Sequence, residues 1–212
     1  PLGRELRVTE DVTAEEGYII AGRIRGYKAV YNQLEDKQGR MVPLHDGDII
    51  VGVLGHRNAL LGYSGHVPES VRVGDTLQVL NLGGVIGKCT SNNPDVGVPY
   101  DVEVLGSVLV FPEFDSRNGI PAHVRMNAIE LTAPLSELPR VPIIFVAGTC
   151  MNSGKTLATC QLIRNLSLKG LKAGGCKLTG VSLLRDVLNM QDYGAKVGVS
   201  FVDAGVVTTS PE

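Results

Sequence analysis

Residues 132–142, TAPLSELPRVP, carry three prolines in eleven positions and divide a chain of 212 residues into two parts of different texture. Proline fixes φ and removes a backbone donor, so this run can be neither the interior of a helix nor a central strand. It reads as a linker or hinge. The domains expected on either side are residues 1–137 and residues 138–212.

The first part reads as β structure. Short runs rich in Val, Ile and Leu, such as GYIIAGRI, DIIVGVLG, DTLQVLNL and VEVLGSVLVF, are broken by clusters of Gly, Pro, Asn and Asp. No stretch of helical length there keeps a 3.6-residue apolar period. Two runs, DGDIIVGVLG and VGDTLQVLNLGG, place Gly-Asp before an apolar strand at an offset of 27 residues. Glycine tolerates the turn, and the aspartates Asp48 and Asp75 can bond nearby backbone N–H groups, as Asp46 can. The expectation is an all-β barrel or sandwich. GHRNALLGYSGHVP (55–68), polar and glycine-rich, reads as a long loop suited to binding.

After the prolines the pattern becomes strand, helix, strand, helix, strand. IIFVAG (143–148) has the continuous apolarity of a buried parallel strand. Leu157, Cys160, Ile163 and Leu166 form one helical stripe, and Gly170 stands where a C-terminal glycine cap belongs. LKAGGC (171–176) predicts a second strand, SLLRDVLNMQDYGA (182–195) a second helix and VSFVDAGVV (199–207) a third strand. This order describes a parallel α/β unit with right-handed crossovers.

Composition narrows the function classes. The formal net charge is −2 and Lys and Arg gather nowhere, which argues against a nucleic-acid partner. No apolar run approaches the ~20 residues that cross a bilayer, and PLGRELRVTEDV is charged where a signal peptide would be apolar. The four cysteines form no C-x-x-C pair. Reduced thiols in a cytoplasmic protein are expected. His45, His56, His66 and His123 are scattered and lack partners at ligand spacing, so they read as surface or turn residues.

The chemistry concentrates in GTCMNSGKT (148–156), which follows the apolar run and opens the predicted helix. A triphosphate needs a ring of inward backbone N–H donors, a mobile cation and a ligand for its Mg²⁺. Gly154-Lys155-Thr156 fits the end of the phosphate-loop pattern, while the leading glycine, Gly148, lies one position further back than the standard spacing. A second Gly-Lys, in LGGVIGKC (82–89), precedes TSNNPDVGVP, which cannot open a helix, and reads as a β-turn.

GTCMNSGKT resembles the loop of the dethiobiotin synthetases and their P-loop relatives, where G-T-x-x-x-x-G-K-T is usual. The resemblance covers about residues 143–212 and continues in GGCKLTG, with Lys177 ending the second strand, in RDVLNMQ, with Asp186, and in TTSPE, with Ser210-Pro211. It implies that the backbone of Thr149, Cys150, Met151, Asn152, Ser153, Gly154 and Lys155 cradles phosphates of ATP. Lys155 would bridge the β- and γ-phosphates, and the Thr156 hydroxyl would bind Mg²⁺. Lys177 would stabilise charge on a carboxylate, a carbamate or the phosphoryl group in flight. Asp186 would assist Mg²⁺, with Asp203 as a rival.

The family carries a glutamate where this chain has Asn152, and a neutral amide neither attracts an amine nor acts as a base. That points away from the synthetase's own substrate. Three strands also fall short of a P-loop sheet, so the expectation is that the protein continues past Glu212 or that another chain, as in a homo-oligomer, completes it. The expected function is an ATP-dependent, ligase-like enzyme that activates an acidic small molecule. The alternatives are a nucleotide-driven switch and a β-barrel binding module with a vestigial P-loop domain.

Overall fold

A computed structural model describes residues 5–59, 61–113, 117–130, 133–137, 140–150 and 153–209. The protein is mainly β, with two α-helices among the described residues, both after the prolines. Before them run β1 (Val8–Thr9), β2 (Ile19–Arg25), β3 (Gln33–Glu35), β4 (Met41–Pro43) and β5 (Ile49–Leu54), then β6 (Tyr63–His66), β7 (Thr76–Val79), β8 (Val85–Asn92), β9 (Asp101–Val110) and β10 (Ile120–Pro121).

The pairings close a ring. β2 pairs antiparallel with β5, β5 parallel with β8, β8 antiparallel with β7, β7 antiparallel with β9, and β9 antiparallel with β2. Of the two β architectures expected, this is the barrel. β1 and β10 extend it along β9, β6 along β8, and β3–β4 form a separate hairpin.

Alternation fills the barrel. Ile20 and Ile24 of β2, Ile50 and Leu54 of β5, Leu77 of β7, Ile86 of β8, and Val102 and Val104 of β9 form one buried cluster. Gly22 and Gly52 share the inward parity of their strands. A methyl group on Gly22 would stand 2.2 Å from Val102 Cγ1, and one on Gly52 would stand 2.6 Å from Gly84 O. So narrow a ring has no room for a side chain at these mid-strand positions.

The two Gly-Asp turns are alike in detail. Gly47 and Gly74 take φ of 87° and 90°, Asp48 Oδ2 accepts from His45 N at 2.8 Å, and Asp75 Oδ2 accepts from Arg72 N at 2.8 Å. The 55–68 segment differs from the expected loop. It contains β6, because Tyr63 is an apolar anchor, 1% exposed and packed with Leu80 and Val85. Lys88 of the second Gly-Lys lies within β8, after the turn at 81–84, and no α-helix follows.

Beyond the prolines come α1 (Lys155–Leu168), β11 (Gly174–Lys177), α2 (Leu184–Asp192) and β12 (Val197–Ser200). β11 and β12 pair parallel, joined by α2. Both helices end in glycine caps. Gly170 N donates to Ser167 O and Leu171 N to Leu166 O, and Gly194 N and Ala195 N donate likewise to Gln191 O and Met190 O. α1 buries Cys160 and Ile163 but leaves Leu157 exposed, so the expected stripe is shorter at its start.

Two strand expectations need correction. Residues 143–148 form no strand, and Ile143, Ile144 and Phe145 are each more than half exposed. Apolarity does not make a strand without a neighbour to take its N–H and C=O groups, and among the described residues β11 and β12 pair only with each other. The third strand begins earlier than expected and stops at Ser200. Ser200 and Asp203 there form a capping box that turns residues 201–204 into a 3-10 helix. Among the described residues, no helix is long and apolar enough to cross a membrane.

If the barrel interior is as tight as the Gly22–Val102 approach implies, Gly22→Ala lowers stability by about 1–3 kcal/mol. Adding Val102→Ala to it should cost less than the sum of the two single changes, as read by urea unfolding. Simple additivity would show that the two positions do not compete for the same space.

Candidate functional site

The described ends of the 148–156 segment come close together. A methyl group on Gly148 would stand 2.6 Å from Ser153 Oγ and 3.2 Å from Lys155 Cγ and Cδ, so the two ends of the loop meet. The Lys155 ammonium turns back over it, donating to Cys150 O at 2.5 Å and Ser153 Oγ at 3.1 Å. Gly154, with φ of 82°, takes the left-handed conformation that carries the chain from the loop into α1. Met151 and Asn152 lie outside the described residues, as do Ser210, Pro211 and Glu212. Thr149 and Cys150 are exposed at the near side of the loop.

α1 starts without a side-chain cap. Ala158 N donates to Gly154 O at 2.9 Å, the first bond of the helix. The amides of Lys155, Thr156 and Leu157 precede it and have no intrahelical acceptor. They face the positive end of a 14-residue helix dipole. A lysine folded back onto Cys150 and Ser153 thus lies together with the first amides of a helix that has no side-chain cap. Thr156 follows Lys155 within the first turn, half-buried.

Lys177 ends β11 as expected, but it is not a solvated cation. Its ammonium donates to Val181 O at 2.6 Å and pairs with the Asp186 carboxylate. The two side chains are 13% and 19% exposed, so the ion pair lies largely out of water. Asp186 is therefore engaged by Lys177 rather than standing free as a metal ligand. Its charge, after burial itself, also helps to push up the pKa of the buried Cys160 thiol. Cys160 lies four residues along α1 from Thr156, which places Asp186 beside the helix that leaves the loop. Among the described residues no hydrogen bond or ion pair joins Lys177 or Asp186 to Lys155 or Thr156.

Asp203 is occupied as well, its Oδ2 accepting from Ser200 N at 2.7 Å. Among the described residues, no group of three His, Cys, Asp or Glu side chains gathers as a metal centre. None of the four histidines is buried. His123 serves a turn, its Nδ1 accepting from Arg125 N at 3.0 Å.

Sequence reading missed Glu35. Its carboxylate, on β3, accepts from Leu184 N at 2.6 Å and Arg185 N at 2.9 Å, across 149 and 150 residues of sequence. Nothing local in QLED marks that role. No protein-family model, curated protein or solved structure matches this chain.

Because the Lys177–Asp186 pair is largely desolvated, removing either partner strands the other. Lys177→Met and Asp186→Asn should each destabilise the fold, and a double-mutant cycle should return a coupling of about 1–3 kcal/mol by chemical denaturation. A coupling near zero would mean that the pair is open to water in solution.

Proposed function

We propose that residues 148–156 are a phosphate-binding loop and that the protein binds ATP with Mg²⁺. The reading extends to a P-loop α/β unit over residues 138–212 and to an ATP-dependent enzyme that activates a small acidic substrate by phosphoryl transfer. One observation carries it: the loop closes on Gly148 with the Lys155 ammonium held inward at the uncapped start of α1. The parallel β11–α2–β12 connection supports the α/β part of the reading.

The residues fit such a ligand. The open amides and the helix dipole favour phosphate oxygens, and Lys155 exchanges its loop acceptors for them. The Thr156 hydroxyl is the oxygen ligand offered to Mg²⁺, which neutralises charge between neighbouring phosphates. Lys177, at the carboxyl end of a parallel strand, stands on the edge where open α/β sheets place ligands. It would reach an acidic substrate or the transferred group by leaving Asp186, and that carboxylate would keep it charged and aimed until then. The barrel would present the substrate or cover the site.

Calorimetry with Mg·ATP separates the two lysines. Lys155→Ala should weaken binding by roughly 100-fold, since charge-assisted bonds contribute about 1.5–3 kcal/mol each. Lys177→Ala should leave the affinity within about threefold, its effect falling on turnover instead. Equal affinities for the wild type and Lys155→Ala would remove the assigned role of the loop.

A further inference from the structure

We propose that Glu35 is a positioning residue: from the β3–β4 hairpin it supplies the N-terminal cap that α2 lacks, and it thereby holds Asp186 as the partner of Lys177. The contact stands on its own geometry, while its consequence for catalysis rests on the function proposed for Lys177.

The residue at the N-cap of α2 is Leu183, whose side chain has no acceptor. Helix starts commonly recruit Ser, Thr, Asp or Asn there to satisfy the first amides. Glu35 does this from another part of the fold, one carboxylate oxygen for each of the first two amides of α2. Its negative charge also complements the positive end of the helix. Asp186 is the next residue, in the same first turn, and its own amide reaches Leu183 O at only 3.4 Å. The turn that aims Asp186 at Lys177 is thus fastened largely by Glu35.

Glu35 is itself fixed to the barrel. Its N–H donates to Leu82 O at 2.8 Å, beside the turn before β8. Packing adds to this seat: a methyl group on Gly39, in the turn between β3 and β4, would stand 2.6 Å from Leu188 Cδ1. A cleft of about 250 Å³ opens between α2 and the β12 segment, lined by Leu184, Val187, Leu188, Ser200 and Val202 among others, with Glu35 at its side. The polar tie and the Gly39–Leu188 approach together set the register between the two parts. A shift of β3 would uncap α2, loosen Asp186 and leave Lys177 with Val181 O. The β3–β4 hairpin in this way sets when the Lys177 ammonium is free.

Nuclear magnetic resonance of the ¹⁵N-labelled full chain tests this without nucleotide. A lysine ammonium gives a sharp signal only while hydrogen bonds slow its exchange with water, so Lys177 reports on its own partner. In Glu35→Ala, amide exchange at Leu184 and Arg185 should rise roughly fivefold to tenfold, and the Lys177 ammonium signal should broaden away. The barrel amides of Ile20 and Val102 should be unchanged. Glu35→Gln keeps the shape and one acceptor oxygen, so it should give a smaller effect of the same kind and serve where the alanine variant does not fold. An unchanged Lys177 signal in a folded Glu35 variant overturns the proposal, even if ATP binds. Conversely, loss of that signal in the Glu35 variant, beside a wild type that shows it but binds no nucleotide, leaves Glu35 in its role and removes the ATP reading alone.

Discussion

A strand in a closed barrel needs a partner on both edges, and β9 makes that possible here. Over ten residues it pairs with β2 on one side and β7 on the other, and it also takes β1 and β10 along its length. Without it the ring would open into a sheet with two exposed edges. Closure also sets the composition of the interior. The ring is tight enough that Gly22 and Gly52 face inward among Ile, Leu and Val, where a side chain would collide with Val102 or Ile86 of the adjoining strands.

The part after the prolines leans on this barrel. Val207 packs with Tyr63, Leu80 and Val85 of the β part. Ile129 N donates to Asp203 O at 2.7 Å, and a methyl group on Gly83 would stand 2.5 Å from Ser182 O. Glu35 adds the polar tie to α2. The candidate chemistry is thus split between two local arrangements: the loop with Lys155 at the start of α1, and Lys177 with Asp186 beside α2. α1 links them, through Cys160 under the influence of the Asp186 charge. Each arrangement currently satisfies its lysine from within the protein, and each lysine would have to exchange those acceptors to meet an anion.

Much of this was legible in the sequence, for reasons that are local. Gly-Asp before a strand specifies a turn because glycine supplies the positive φ and the aspartate caps a backbone amide two or three residues away. Gly170 closes a helix for a similar reason, and glycine between Ser153 and Lys155 marks the loop. The misses are all questions of partnership. Residues 143–148 are apolar enough for a buried strand, yet pairing depends on a neighbour that the segment does not itself contain. Residues 201–204 look like a continuing strand until Ser200 and Asp203 bond each other. Tyr63 turns a polar segment into an edge strand because the barrel offers it a pocket. The Lys177–Asp186 ion pair could not be read from the chain either, because nothing local sets the two side chains side by side. Glu35 acts across about 150 residues, a distance over which no pattern in the chain is informative.

The central claim is that the backbone amides around Lys155 point together at an anion. The most direct measurement follows amide resonances of the full chain during titration with Mg·ATP up to millimolar concentrations. The account predicts that the amides from Thr149 to Thr156 shift strongly and saturate together, while those inside the barrel, such as Ile24 and Val104, stay in place. Saturation of the nucleotide with these amides unmoved, or no response anywhere in the chain, would contradict it.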